Sequence, residues 1–139
     1  AGDGEERYAL EELVNKINLA SRVHFLGKIS DEKLSQLYAN ARVTTLCSKN
    51  EPFGLVSIES MMNGTPVIAH KSGGPLETVI ENKTGFLYER DNDLPLFLEK
   101  IITMNDEQYE EMQKSSQVQA KEFDISKSIV KLEKIFNTI

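Results

Sequence analysis

The sequence predicts an α/β fold: a Rossmann-like parallel sheet with helices on both faces. Short runs of β-branched and apolar residues alternate with longer segments whose apolar side chains recur at helical spacing. Strands and helices that alternate in this way form parallel sheets. The chain has 139 residues, 40% of them hydrophobic and 27% charged, which suits one globular domain. We therefore expect a single domain over residues 1–139.

The first half of the chain alternates between helical and extended patterns. Leu10, Leu13, Val14 and Ile17 have the spacing of one helix face, and Ser30 is a suitable N-cap for a second helix. Four elements follow from these patterns: a helix through 10–17, a strand at 23–26, a helix after residue 30 and a strand at 43–46.

The second half repeats the alternation and then becomes helical. Asn63-Gly64 is a helix-ending pair, and Pro66 opens a short apolar run typical of a buried strand. The predicted elements are helices at 54–62 and 76–80, strands at 66–69 and 86–88, and final helices at 94–103, 106–122 and 126–136.

Composition excludes several classes of function. The net charge is −6 and the bases are scattered, so no nucleic-acid partner is predicted. One cysteine, Cys47, cannot form an internal disulfide and fits a reducing, cytoplasmic compartment; we expect it to be a small buried residue. With two histidines and one cysteine, no transition-metal site is expected. No apolar run is long enough to span a membrane.

Residues 51–59 are the most informative stretch, because they place two carboxylates across a loop-to-helix junction. Glu51 is expected in the loop, and Gly54 allows a backbone to approach a ligand closely. The N–H groups that begin the helix form a natural phosphate site. Glu59, one turn further on, can accept hydrogen bonds from both hydroxyls of a ribose.

A glycine turn supports this interpretation. Gly73 and Gly74 follow the strand at 66–69, at its carboxyl end. Ligands of open α/β sheets bind outside the carboxyl ends of the strands. The backbone N–H groups of such a turn can hold an anion.

These motifs resemble the retaining glycosyltransferases of family 4, and most closely the carboxyl-terminal, donor-binding domain of their two-domain GT-B fold. The hallmark pair of glutamates, separated by seven residues, is matched by Glu51 and Glu59. Further matches extend over nearly the whole chain, at 2–5, 23–27, 53–55, 58–61, 64–69, 73–74 and 84–87.

The resemblance implies a role for each matched residue. Glu51 faces the hydroxyls of the donor sugar and Glu59 binds the ribose. The backbone of Phe53, Gly54 and Leu55 meets the sugar and diphosphate. The implied function, in glycan biosynthesis, is transfer of a hexose from a nucleotide sugar, such as UDP-glucose or GDP-mannose, with retention of configuration. The resemblance also implies that backbone near Lys28 and Ile29 holds the nucleobase and that no metal cofactor is needed.

Two departures from the family pattern qualify the resemblance. The turn reads Gly73-Gly74-Pro75-Leu76-Glu77, with its proline shifted by one, as in mannosyltransferases that extend lipid-linked oligosaccharides. The family's basic diphosphate clamp would precede Ala1. We therefore expect this chain to be the donor-binding part of a larger enzyme, without its first strand and its amino-terminal domain for a glycan or lipid acceptor. Alone it is expected to be inactive, with any membrane association made through those other segments.

Two alternatives remain open at this point. A nucleotide-sugar epimerase could use a similar scaffold, but would need catalytic acids from a second domain. A non-catalytic α/β interaction module could keep the fold without the chemistry.

Overall fold

The computed structural model describes residues 1–124, and the predicted helix at 126–136 lies outside them. The chain divides into two compact units, Ala1–Gln36 and one that begins at Leu37. The helices are α1 (Arg7–Lys16), α2 (Asp31–Asn40), α3 (Leu55–Met62), α4 (Pro75–Thr78), α5 (Leu94–Ile102) and α6 (Asp106–Ala120). The strands are β1 (Thr44–Leu46), β2 (Val67–His70) and β3 (Gly85–Tyr88). The predicted α/β class is confirmed.

The first unit contains α1, a segment of turns and irregular backbone, and the beginning of α2. Helix α1 forms as predicted, but none of its residues is buried. The predicted strand at 23–26 is wrong: the backbone pairing here is one antiparallel bridge, in which the Gly2 N–H donates to the Gly27 carbonyl at 2.8 Å. A short run such as 23–26 becomes a strand only where a partner strand pairs with it, and none does in this unit. The predicted cap of α2 is present, since Ser30 Oγ accepts from the Lys33 N–H at 3.4 Å.

The second unit is built on a three-stranded parallel sheet in the order β1-β2-β3. Leu46 pairs with Ala69, and His70 pairs with Tyr88. Because the strands are parallel, their carboxyl ends and the loops that follow them share one edge of the sheet. This edge is where the sequence predicts ligand binding.

Helices cover both faces of the sheet, as predicted. Alternate residues of β2 supply the two cores, since successive side chains of a strand point to opposite faces. On one face Val67 and Ala69 pack with Ile58 and Met61 of α3. On the other face Ile68 packs with residues of α5 and α6, among them Ile101, Tyr109 and Met112. Burial on both faces explains why this strand reads as an unbroken apolar run.

Within residues 1–124, no helix is long and apolar enough to cross a membrane.

Candidate functional site

The candidate site lies at the carboxyl edge of the sheet, where the loop after β1 leads into α3. Glu51 is half-buried in this loop, and Glu59 is exposed in the second turn of α3. Gly54 is the N-cap residue of α3 and has φ of 74°, in the left-handed region that glycine adopts most readily. The structure thus places the two carboxylates on either side of a helix N-terminus.

The glycine turn packs directly against the Glu51 loop. The Gly74 N–H donates to the Glu51 carbonyl at 2.7 Å. A Cβ built on Gly73 would overlap the Glu51 carbonyl oxygen, and one built on Gly74 would overlap the Phe53 carbonyl group. The two loops therefore touch backbone to backbone, which only glycine permits here. Because the Gly74 N–H is engaged by Glu51, an anion in this turn would have to be held by other N–H groups.

Three polar contacts fix the Glu51 loop further. Ser48 Oγ donates to Glu51 Oε2 at 3.2 Å, which orients the carboxylate. Ser72 Oγ accepts from the Asn50 N–H at 3.0 Å and lies 2.9 Å from His70 Nδ1. The loop that carries Glu51 is thus tied to the end of β2 as well as to the glycine turn.

The beginning of α3 offers hydrogen-bond donors. The N–H groups of Leu55 and Val56 open the helix, whereas the Ser57 N–H already donates to the Gly54 carbonyl at 2.9 Å. Two buried hydroxyls beside this turn, Ser57 Oγ and Thr78 Oγ1, have no hydrogen-bond partner among the described residues. The helix dipole adds partial positive charge at this point, which favours an anionic group.

Glu59 is held by a residue that sequence reasoning did not assign to the site. The Tyr38 hydroxyl, from α2, donates to Glu59 Oε2 at 3.3 Å. Burial, reinforced by the nearby Glu59 carboxylate and this hydrogen bond, raises the pKa of Tyr38 to about 12. The hydroxyl therefore remains protonated, and a donor, throughout the physiological pH range.

The remaining predicted site residues are more scattered. The side chains of Phe53 and Leu55 are 60% and 58% exposed, so these two residues face solvent beside the α3 N-terminus. Lys28 and Ile29 lie in the first unit, in the short segment before α2, where Lys28 is exposed and Ile29 half-buried.

The other polar groups at this edge are mutually engaged. Cys47 is exposed, which corrects the expectation of a buried residue: it follows the last residue of β1, where the edge of the sheet opens to solvent. Burial and a hydrogen bond with the Cys47 thiol raise the pKa of Tyr88 to about 12. Lys71 is 2.8 Å from Glu89, and Lys49 is 3.7 Å from Asp91. Among residues 1–124, no group of three or more His, Cys, Asp or Glu side chains could hold a metal ion.

Sequence reasoning missed Tyr38 for a clear reason. Its spacing with Leu34 and Leu37 assigns it to the apolar face of α2, and its ring is indeed buried. The signal that could have singled it out is the hydroxyl, since a buried tyrosine oxygen needs a hydrogen-bond partner. Ser48 and Ser72 gave no signal, because serine is common in every loop.

The chain matches one protein family over residues 1–122, the family described as "Glycosyl transferases group 1". It is 39% identical over 72 residues to the α-1,3/1,6-mannosyltransferase alg2 of Schizosaccharomyces pombe, a match that covers 52% of this chain and 14% of that protein. The chain spans about a quarter or less of the length of the first curated relatives it matches.

The fold is also similar to that of solved structures. Sucrose-phosphate synthase from Thermosynechococcus elongatus superposes with a TM-score of 0.86 at 34% identity, covering 99% of this chain and 35% of that one. Anabaena Alr3699/HepE, solved in complex with UDP-glucose, superposes with a TM-score of 0.82 at 28% identity, covering 98% and 38%.

Proposed function

Because this chain belongs to the group 1 glycosyl transferases, we propose that it is the donor-binding part of an enzyme that transfers a hexose from a nucleotide-diphospho-sugar to an acceptor, with retention of configuration. The observation that carries the proposal is the placement of Glu51 and Glu59 on either side of the α3 N-terminus, at the carboxyl edge of a parallel sheet. Such edges are where open α/β sheets bind ligands.

Each part of the site has a counterpart in a nucleotide sugar. The N–H groups and positive end of α3 suit the diphosphate, and we propose no metal cofactor there. Glu59, on the outer surface of the same helix, suits the ribose diol. Glu51, oriented by Ser48, suits the hydroxyls of the hexose. The nucleobase is assigned to the backbone of Lys28 and Ile29 on the family resemblance alone.

In the proposed reaction, the bond between the hexose C1 and the diphosphate oxygen breaks, and its electron pair leaves with the diphosphate. The acceptor hydroxyl oxygen then bonds to C1 on the same face, and its proton is released. This chain's residues contribute by holding the donor in position and by stabilising the charge that develops on the diphosphate. The acceptor, a glycan or a lipid, is assigned to a domain that lies outside this chain.

Two relatives suggest which donors to test first. The alg2 protein is named as a mannosyltransferase, and the HepE structure contains UDP-glucose. We propose a hexose donor of one of these two kinds, used in glycan biosynthesis in the cytoplasm or at the cytosolic face of a membrane.

Calorimetric titration tests the proposal. The purified chain is titrated with UDP, GDP and ADP and with their glucose and mannose conjugates. We expect saturable binding of one nucleotide series, weakened about tenfold or more in Glu59→Ala, because hydrogen bonds to a charged group are lost. Glu110→Ala, which removes an exposed glutamate from the surface of α6, is the matched control and should bind as the wild type does.

Two results would count against the proposal. Absence of binding by all nine ligands at millimolar concentration would contradict donor binding by this chain and favour an interaction module. Equal weakening by Glu59→Ala and Glu110→Ala would contradict the assignment of Glu59. In the full-length enzyme, product analysis separates transfer from the isomerisation that an epimerase would catalyse.

A further inference from the structure

Glu59 is an exposed, flexible type of side chain on the surface of α3, yet one of its oxygens has a fixed partner. The Tyr38 hydroxyl donates to Glu59 Oε2 at 3.3 Å. An unrestrained glutamate samples many rotamers and loses that freedom when it binds a ligand. A hydrogen bond from a rigid neighbour restricts the rotamers before the ligand arrives, so less conformational entropy is lost on binding.

Tyr38 is well suited to be the rigid neighbour. Its side chain is 9% exposed, so its ring is held by packing. Its own carbonyl accepts a hydrogen bond from the hydroxyl of the buried Thr65, in the turn between α3 and β2. Tyr38 is thereby fixed at its backbone to the segment after α3 and at its hydroxyl to α3 itself.

We propose that Tyr38 is the positioning residue for ribose recognition: its hydroxyl fixes one oxygen of the Glu59 carboxylate and turns the other toward the ribose hydroxyls. A carboxylate offers about four lone-pair sites on its two oxygens, so one donor from Tyr38 leaves ample acceptors for a diol. Tyr38 acts through Glu59 and has no contact with the ligand. This inference rests on the proposed function, because it concerns the same ribose site.

The hydrogen bond has the right chemistry for such a role. The pKa of Tyr38, raised to about 12 by burial and by the adjacent carboxylate, keeps the proton on the phenol oxygen at neutral pH. The phenol therefore stays a hydrogen-bond donor to Glu59 Oε2, and the second oxygen of the carboxylate is left to accept from the ribose hydroxyls.

The test compares GDP, UDP and ADP with their 2′-deoxy analogues in wild type and Tyr38→Phe. We expect the variant to bind the ribonucleotides about five- to tenfold more weakly, because an unrestrained Glu59 loses its rotamer freedom only when the ligand binds. The decisive readout is the preference for ribose over deoxyribose, which should fall in Tyr38→Phe and fall further in Glu59→Ala. Partial unfolding weakens both ligands by the same factor, so this ratio does not depend on the stability of the variant.

Two further variants make the result specific. Tyr109→Phe removes another buried tyrosine hydroxyl, which donates to the Arg42 carbonyl at 2.9 Å, and it should leave the ratio unchanged. Tyr38→Phe added to Glu59→Ala should have no additional effect on the ratio, because the residue through which Tyr38 acts is absent.

The possible results of this test distinguish failure of the positioning role of Tyr38 from failure of the proposed function. If Glu59→Ala lowers the ratio and Tyr38→Phe does not, the positioning role is overturned while ribose binding by Glu59 stands. If Tyr38→Phe lowers the ratio equally with and without Glu59, Tyr38 acts on the ligand by another route and the inference is wrong. If the wild type binds none of GDP, UDP and ADP, both the proposed function and this inference fail.

Discussion

The two carboxylates of the candidate site are held in different ways. Glu51 is held by its backbone, in a loop that packs against Gly73 and Gly74 so closely that neither position has room for a Cβ. Glu59 projects from a regular helix and is held at its carboxylate by the Tyr38 hydroxyl. The end of the site proposed for the sugar therefore depends on loop geometry, whereas the end proposed for the ribose depends on one contact between side chains.

Because the two carboxylates are held differently, the two ends of the site should tolerate different substitutions. A change in the glycine turn must move two loops together, and so affects folding and binding at once. A change at Tyr38 or Glu59 removes a polar contact and leaves the helices intact. Stability and affinity should thus be coupled at the sugar end and separable at the ribose end.

The largest expected effect is on folding, from Gly74→Ala. A Cβ at this position would overlap the Phe53 carbonyl, so the variant should lose about 3 kcal/mol or more of its free energy of unfolding. Gly4→Ala is the matched control, because nothing lies within 4 Å of a Cβ there, and it should stay within about 0.5 kcal/mol of the wild type. Denaturant unfolding measures both. Equal stability of the two variants would show that the loops are not locked as described.

The next largest effect is on ligand affinity, and it should differ between substitutions of Glu59 and Glu51. Glu59→Gln should weaken GDP and GDP-mannose, or UDP and UDP-glucose, by the same factor of about ten, because both members of each pair contain the ribose. Glu51→Gln should weaken the sugar conjugate alone, since the free nucleotide lacks the hexose. Calorimetry on the four combinations provides the comparison. Loss of free-nucleotide binding in Glu51→Gln would mean that the two ends of the site are not separate.

The smallest effect is a pH dependence beside the site. The nearby Lys71 ammonium lowers the pKa of Glu89 below its usual 4.5. A carboxyl whose pKa is lowered on folding contributes stability above the unfolded pKa, and this contribution is lost as the pH falls through the folded value. Glu89→Gln should therefore flatten the decrease in Tm between pH 5 and pH 3 slightly, because the pair is exposed. An unchanged pH profile would show that the pair contributes nothing to stability.

The sheet and its helices could be predicted from the sequence because their signals are local. The first three residues of β2, Val67 to Ala69, form an unbroken apolar run, and Asn63-Gly64 ends α3 as expected. The strand predicted at 23–26 failed because strand formation depends on a pairing partner, which a short apolar run does not reveal.

The candidate site could be predicted in part. The spacing of Glu51 and Glu59 and the glycine pair predicted a site at the carboxyl edge of the sheet, and in the structure the Glu51 loop and the glycine turn are in contact at this edge. The sequence could not show that the glycines serve the close approach of two loops, since Gly73 and Glu51 are distant in the chain. The hydrogen bond between Tyr38 and Glu59 could not be predicted either. Helical spacing assigns a tyrosine to one face of a helix but does not identify the partner of its hydroxyl.

Amide-resolved NMR of the chain, titrated with GDP-mannose and UDP-glucose, is the most direct test of nucleotide-sugar binding. Nucleotide-sugar binding at the carboxyl edge predicts saturable shifts at Phe53, Gly54, Leu55 and Glu59, with little change in α5. Shifts concentrated in the open groove between α5 and α6, around Lys100 and Gln108, would contradict the account, as would the absence of any saturable shift at millimolar ligand.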